Sequence, residues 1–157
     1  MSLTRRVEDR LKELGVELAG SPTPLGAYVP AVLSGRHIYV SGQLPIVKGK
    51  LAFTGRVGGD VTLAEGVEAA RIAAINSISV LKGYLSNLDR VRRIVKVTGH
   101  IASAEGFTEQ AQVLNGASDL YFQVFGESGR HARAALGAYE LPLGAPVEIE
   151  LIAEIAL

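Results

Sequence analysis

A long amphipathic helix is predicted over residues 62–90, TLAEGVEAARIAAINSISVLKGYLSNLDR. Thr62 and Glu65 have the spacing of a capping box, in which each side chain satisfies an orphan backbone N–H at the helix start. Apolar side chains then recur at steps of four and three, which places them on one stripe; they are Leu63, Val67, Ala70, Ala74, Ile78, Leu81 and Leu85. Such a stripe must pack against another layer, which the rest of the chain has to supply.

Two further helices are predicted. The longer covers residues 107–126 and ends at Gly126; the residues at helical steps are Phe107, Ala111, Leu114, Ser118, Tyr121 and Phe125. A short N-terminal helix is predicted from Val7, Leu11 and Leu14, with Gly15 as its stop. The glycine-rich segment 48–60 is predicted to be a loop, because it matches neither a P-loop nor a dinucleotide-binding fingerprint.

Alternation of apolar and polar residues predicts the strands. Residues 27–43 are typical of a hairpin of two short strands, and Pro30 favours an edge position for the first or delays its regular part. A strand over residues 92–103 has Ile94 on the face opposite Val97. The last two strands, at residues 133–139 and 147–157, are predicted to pair as a hairpin through LPLGAP.

This order predicts an α+β domain, with one mixed sheet and two long helices packed on one face. The other face would stay uncovered and would carry apolar residues such as Ile94 and Ile152. Soluble monomers seldom expose a broad apolar face. The pattern therefore predicts a homo-oligomer whose subunits bury that second face.

Charge and composition exclude several classes of function. Basic and acidic residues number 16 each, so the formal net charge is zero, whereas nucleic-acid binders usually carry a basic excess. The chain has no cysteine, which excludes disulfides, thiolate metal sites and a cysteine nucleophile. The histidines His37, His100 and His131 lack a metal-binding spacing. Without an apolar signal or membrane-spanning run, we expect a cytoplasmic protein with no membrane partner.

Arg133 stands at the start of a strand-like run, where a core strand would place Val or Ile. If the last hairpin is centred near residues 143–144, Arg133 lies opposite Glu154, and a structural ion pair explains it. The alternative is that Arg133 holds a substrate. Local sequence leaves both interpretations open.

Three motifs resemble the RidA family, also called YjgF or L-PSP endoribonuclease-like proteins. They are PLGAYVPAVLSGRHIYVSGQLP at residues 24–45, VLNGASDLYFQVFG at 113–126 and HARAALGAYELPLGAPVEIELIAEIAL at 131–157. In the third, Arg133 precedes Pro142 by nine residues and Glu148 follows Pro142 by six, as in the family pattern. The resemblance runs from about Pro24 to the C-terminus and makes residues 1–23 an N-terminal helical extension of a single domain, 1–157.

The resemblance implies a chorismate-mutase-like fold and a homotrimer with clefts between subunits. It implies hydrolytic deamination of reactive enamines and imines, such as 2-aminoacrylate and 2-iminobutanoate, to 2-oxo acids, with no cofactor. By the same resemblance, Arg133 would bind the substrate carboxylate and Glu148 would act on the hydrolytic water. Further pocket residues implied by the motifs are Tyr28, Ser41 and Asn115.

Departures from the family pattern indicate a RidA-like subgroup. Ala135 stands where the family often has cysteine, so its backbone is the useful part. His131 replaces the usual proline before Ala-Arg. The alternatives to a deaminase are a non-catalytic protein that binds or senses small carboxylates and an endoribonuclease, which the zero net charge disfavours.

Overall fold

The structure is a computed structural model that describes residues 6–20 and 23–157. Residues 1–5, 21 and 22 of the predicted N-terminal extension lie outside the described residues. The elements, in chain order, are α1 (Val7–Glu13), β1 (Ala31–Ser34), β2 (His37–Gln43), β3 (Ile46–Val47), β4 (Lys50–Leu51), α2 (Leu63–Leu85), β5 (Val91–Ala102), α3 (Gln110–Phe125), β6 (Ala132–Ala138) and β7 (Val147–Ile155).

Among the described residues, the five longer strands form one mixed sheet in the order β1-β2-β7-β5-β6. The neighbours from β1 to β5 pair antiparallel, whereas β6 pairs parallel with β5. Helix α3 connects these two parallel strands, because a parallel pair needs a long crossover. The predicted α+β class with one mixed sheet is confirmed, as are the β1–β2 hairpin and the edge position of its first strand.

The last two strands do not pair with each other, so the predicted hairpin is wrong. Strand β5 lies between β6 and β7. Arg133 is therefore the Cα partner of Val97 rather than of Glu154, whose partners are His37 and Arg93. The prediction assumed that strands adjacent in sequence are adjacent in the sheet. The β5–α3–β6 crossover instead carries β6 to the free side of β5.

Helix α2 begins at the predicted capping box. The backbone N–H of Glu65 donates to Thr62 Oγ1 at 3.1 Å, and that of Thr62 donates to Glu65 Oε1 at 3.1 Å. The helix ends at Leu85 rather than at residue 90, because Ser86 has a φ of 62° in the left-handed region. Although α2 has 23 residues, neither it nor any other helix in the described ranges is long and apolar enough to cross a lipid bilayer.

Helices α2 and α3 pack closely because Gly116 lies where they meet. A Cβ atom at this position would overlap the backbone carbonyl oxygen of Val67 in α2. Both helices then cover the sheet through fully buried side chains such as Ile78, Leu114 and Leu120. The glycine therefore sets how near the two helices can approach.

Gly116→Ala is expected to lower the free energy of unfolding by about 1–3 kcal/mol, since rigid backbone must move to admit the methyl group. Chemical denaturation monitored by circular dichroism measures the change. Gly20→Ala is the matched control, because no atom lies within 4 Å of its added Cβ, and we expect a change below about 0.5 kcal/mol. A wild-type unfolding midpoint for Gly116→Ala would contradict the close helix contact.

Strand β5 contains irregularities that change which side chains reach the core. Its register against β7 shifts between Val91 and Arg93 and again between Ile94 and Lys96. Ile94 is consequently fully buried in the same core cluster as Val97, not on the opposite face as predicted. The strict alternation of side chains between the two faces fails here. An extra residue in one strand reverses which face the preceding residues point to.

Helix α3 presents a different face to the core than its spacing predicted. Leu114, Tyr121 and Phe125 are buried as expected, but Ala111 is exposed and Ser118 is only partly buried. The core stripe is shifted toward other small and apolar residues, Val113, Gly116, Ala117, Leu120 and Val124. Ala111 and Ser118 are thereby left free to contact β6.

The predicted N-terminal helix is present as α1 and packs into the same hydrophobic cluster as the sheet. Val7 and Leu11 are buried there. The backbone N–H of Val7 donates to Asp89 at 2.9 Å, and Arg10 donates to the carbonyl oxygen of Val124 at 3.1 Å. These bonds hold α1 against the end of α3 and the turn that follows α2.

The sheet face opposite the helices is mixed rather than broadly apolar. Val32, Tyr39 and Leu136 are 52%, 46% and 49% exposed on it. Polar and charged side chains share this face, namely Lys96, Thr98, His100, Glu148 and Glu150. Ile152, the Cα partner of Tyr39 and Lys96, lies on this face as predicted and is partly buried. Burial of this face between subunits stays a prediction, and these four apolar residues are the ones it would cover.

Candidate functional site

Arg133 lies on β6 and faces the helix-covered side of the sheet. Its partner Val97 is fully buried on that side, and paired residues of neighbouring strands share a face. The guanidinium reaches α3, where Nη1 donates to Ser118 Oγ and Nη2 to the carbonyl oxygen of Ala111, both at 3.1 Å. These bonds use two of the five N–H groups of arginine and leave three. Among the described residues, no carboxylate forms an ion pair with Arg133.

An open cavity of about 290 Å³ lies beside this guanidinium. Asn115, Asp119 and Phe122 of α3 line it together with His131 and Arg133. The fold therefore brings Asn115 and Arg133, which are 18 residues apart in sequence (133 minus 115), to the same cavity. A half-buried cation with unused donors at an open cavity can bind a small carboxylate.

Ala135 follows Arg133 on the same face of β6. Its Cα partner is Gly99, and its side chain packs against the hydrophobic core. Strand β6 is an edge of the described sheet, so one side of its backbone has no strand partner there. The free edge leaves backbone groups near Ala135 available to a ligand. Because alanine replaces the cysteine that is frequent in the family at this position, only the backbone here can donate to or accept from a ligand.

Two residues at this cavity, Ser118 and His131, were not predicted as site residues. His131 Nε2 is 2.9 Å from Ser118 Oγ, and His131 Nδ1 is 2.7 Å from the carbonyl oxygen of Gly129. The sequence held a signal for both. His131, directly before β6, is two residues from Arg133, and Asn115 and Ser118 are three apart on a helix, so the members of each pair point to the same side.

Glu148 lies on β7, on the opposite side of the sheet. Its Cα partner on β5 is His100. Its carboxyl group lies directly against Gly42, where a Cβ atom would overlap it. Residue 42 lies within a register irregularity of β2 between Val40 and Gln43. The bulge and the missing side chain together make the space in which the carboxyl group of Glu148 sits.

The pKa of Glu148 is raised above its ordinary value, chiefly because half-burial disfavours the charged carboxylate. The charge of Glu150 raises the pKa further, whereas His100 opposes the shift. A carboxylate with a raised pKa is a better proton acceptor than an ordinary one.

Tyr28 and Ser41 lie beside the β2 bulge at Gly42, and neither lines the cavity of Arg133. Ser41 Oγ donates to the carbonyl oxygen of Val29 at 2.7 Å, which ties β2 to the segment beside Tyr28. Tyr28 is 49% exposed and lines a cavity of about 420 Å³ together with Gly42. These residues and Glu148 form a second group around the β2 bulge.

The two groups are separated within one chain. Arg133 faces the helices, whereas Glu148 faces away from them, and β5 lies between their strands. Two strand steps correspond to roughly 10 Å, in addition to the thickness of the sheet. One copy of the chain therefore presents two half-sites: a cationic one at β6 and a carboxyl one at β2 and β7.

These features define a class of protein: a small α+β domain with a half-buried arginine beside an open cavity at one sheet edge and a half-buried carboxyl group on the uncovered face. Among the described residues, no three His, Asp or Glu side chains lie close enough together to hold a metal ion. The comparisons with known proteins place this class in one family.

A family profile described as "YjgF/chorismate_mutase-like, putative endoribonuclease" matches residues 8–155. Protein TCP17 of Trypanosoma cruzi is 44% identical over 151 residues, covering 96% of this chain and 94% of that protein. A goat (Capra hircus) protein named 2-iminobutanoate/2-iminopropanoate deaminase is 35% identical over 154 residues, covering 97% and 91%. The crystal structure of Atu1372 from Agrobacterium tumefaciens, described as of unknown function, has a TM-score of 0.88 at 48% identity and covers 96% and 92%.

The chain belongs to the YjgF/RidA family. The predicted membership and the chorismate-mutase-like fold are confirmed. Relatives of moderate identity are named deaminases, which supports a hydrolytic activity at the level of the family.

Proposed function

We propose that the chain is a cytoplasmic hydrolase that deaminates small reactive 2-imino and enamine acids to 2-oxo acids. The observation on which this rests is the Arg133 guanidinium: α3 holds it, three of its N–H groups have no partner among the described residues, and it faces a cavity. The carboxylate of a 2-imino acid fits that fork, because planar guanidinium and carboxylate groups pair bidentately. The deaminase names of relatives from goat, cattle and human support the choice of substrate class.

The chemistry needs little beyond orientation. A protonated imine carbon is already electrophilic, so bound water adds to it while Glu148 accepts a proton from that water. Glu148 then returns that proton to the nitrogen of the resulting carbinolamine. The C–N bond breaks, the hydroxyl proton passes to the departing ammonia, and the products are the 2-oxo acid and ammonium. Holding the carboxylate on Arg133 places the imine carbon for this attack. The raised pKa of Glu148, caused chiefly by burial, suits the role of proton acceptor.

We propose that the site is completed between subunits of a homotrimer. Arg133 and Glu148 of one copy face opposite sides of the sheet, so they cannot contact the same small substrate. A second copy that covers the uncovered face would bring its own cationic half-site to the carboxyl half-site of the first. This arrangement accounts for the separation of the predicted site residues into two groups.

The direct test is the rate at which the purified protein removes 2-iminobutanoate generated in solution. We expect acceleration over the uncatalysed reaction, with 2-oxobutanoate and ammonium formed in equal amounts. A protein that binds 2-oxobutanoate, and is stabilised by it, but leaves imine hydrolysis at background would be a carboxylate-binding or regulatory protein instead. RNA cleavage that survives removal of contaminating nucleases and is lost in Arg133→Ala would favour the endoribonuclease alternative.

Mixing two inactive variants is expected to restore activity if the site is shared between subunits. Arg133→Ala subunits still supply Glu148, and Glu148→Gln subunits still supply Arg133. In trimers reassembled from equal amounts, half of the subunits offer each group, so about one quarter of the clefts become intact. Imine hydrolysis by the mixture should therefore reach about one quarter of the wild-type rate. Activity no higher than the two variants measured separately would contradict a composite site.

A further inference from the structure

The cationic half-site contains a chain of hydrogen bonds that begins at His131. A backbone carbonyl only accepts, so the 2.7 Å contact of His131 Nδ1 with the carbonyl oxygen of Gly129 puts the proton on Nδ1. In a neutral ring Nε2 is then an acceptor, and it receives the hydroxyl hydrogen of Ser118 at 2.9 Å. Ser118 Oγ in turn accepts from Arg133 Nη1 at 3.1 Å. Every donor and acceptor in the chain is used consistently.

The surroundings of His131 favour the neutral imidazole that these hydrogen bonds require. Burial lowers the pKa of His131, and the nearby charge of Arg133 lowers it further, although the bond to Gly129 opposes the shift. Tyr121 of α3 packs edge-on against the imidazole at 5.6 Å between ring centroids, which holds its orientation. Two other charged groups, Arg130 of its own segment and Asp119 of α3, line the same cavity.

We infer that His131 and Ser118 are positioning residues: neutral His131 orients the Ser118 hydroxyl, which fixes the guanidinium of Arg133 for the substrate carboxylate. This inference rests on the proposed carboxylate-binding role of Arg133. The second anchor, from Nη2 to the carbonyl oxygen of Ala111, is backbone and is present whatever the side chain at residue 111. The bond to Ser118 is therefore the one of the two that depends on which side chain the sequence supplies.

These hydrogen bonds favour ligand binding because they restrict the rotamers of the Arg133 side chain before the ligand binds. A long arginine side chain loses rotamer freedom on binding, and an anchored planar fork has less to lose. With Ser118 gone, the Nη1 end of the guanidinium is released while the Nη2 end stays attached. With the His131 acceptor gone, the Ser118 hydroxyl no longer has a single preferred direction.

The test measures binding and side-chain motion as well as turnover. Ser118→Ala, and His131→Phe, which keeps an aromatic ring against Tyr121, are each expected to weaken binding of 2-oxobutanoate about tenfold by calorimetry, as loss of one charge-assisted bond implies. The double variant should be within about twofold of the singles, because both break one chain. Ser118→Thr keeps the hydroxyl and should bind within about twofold of wild type. Ser128→Ala, a neighbouring serine outside the cavity, is the control and should bind as wild type.

Nuclear magnetic resonance gives a readout that does not depend on catalysis. In the wild type, the ring nitrogens of His131 should report the Nδ1–H form, and the terminal nitrogens of Arg133 should exchange slowly by rotation about Cζ–Nε. Ser118→Ala and His131→Phe should each speed that rotation about tenfold, as expected for loss of the same bond. A wild-type Nε2–H form, or unchanged Arg133 rotation and 2-oxobutanoate affinity in Ser118→Ala, overturns the inference. A wild type that binds 2-oxobutanoate without hydrolysing imines overturns only the deaminase proposal.

Discussion

Arg133→Ala is expected to lower kcat/KM for 2-iminobutanoate about 100-fold. A hydrogen bond to a charged group contributes about 1.5–3 kcal/mol, and the upper value corresponds to roughly 100-fold. Loss of orientation adds to the effect, because the carboxylate no longer holds the imine carbon beside the water. The measurement is the steady-state rate of imine loss at several substrate concentrations.

Two further variants separate the charge of Arg133 from its geometry. Arg133→Lys keeps the charge but lacks the planar fork. With Ser118 and Ala111 each accepting one N–H, the ammonium has one N–H left and cannot pair bidentately with a carboxylate. This variant should recover only a small part of the activity. Arg36→Ala, in the exposed turn between β1 and β2, makes the same change of charge far from the cavity and should leave the rate unaltered. Wild-type kcat/KM in Arg133→Ala would rule out the carboxylate anchor.

Glu148→Gln is expected to lower kcat by about 10²–10⁴-fold, the range associated with a general base. Glutamine fits the space beside Gly42 but cannot accept the proton from water. Glu154→Gln, on the same strand and the same face, is the matched control and should retain the wild-type rate. A Glu148→Gln variant with full activity would mean that Glu148 has no part in the chemistry.

The pH dependence provides a second measure of Glu148. Only the carboxylate form can accept a proton, so the wild-type rate should fall as pH decreases through the pKa of Glu148. Burial places that pKa above its ordinary value of 4.5, so the acid limb should begin at a higher pH than an exposed glutamate would give. The limb should be absent from Glu148→Gln and unchanged in Glu154→Gln.

Local sequence was a reliable guide to the elements whose signals are complete within a few residues. The capping box at Thr62 and Glu65 forms as its spacing indicated, because both partners lie within one turn. Gly126 ends α3 with a positive φ of 63°, and β1 begins at Ala31, directly after Pro30. These outcomes depend on backbone sterics and short-range hydrogen bonds.

Sheet pairing was less accessible, because it depends on segments far apart in sequence. The predicted hairpin of the last two strands followed from their adjacency in the chain. Packing of α3 onto the sheet instead makes β6 the parallel neighbour of β5. The irregular register of β5 then buries Ile94, which a simple alternation had placed outside. Neither feature has a signal within the strand concerned.

The residues of the candidate site were named from their motifs, but their grouping was not. Arg133 and Asn115 meet at one cavity, whereas Tyr28, Ser41 and Glu148 gather around the β2 bulge. Ser118 and His131 were not predicted as site residues, because their contact links α3 to the residue just before β6. Such contacts arise only when α3 is seated on β6.

The sequence alone was sufficient to predict the helices, most of the strands, the absence of cysteine chemistry and the family motifs, since each depends on spacing or composition. The folded chain settled which strands are neighbours, which side of the sheet each functional group occupies, and what holds the guanidinium of Arg133. Those properties come from side chains brought together across long separations, where the balance of many weak contacts, not any local preference, selects the arrangement.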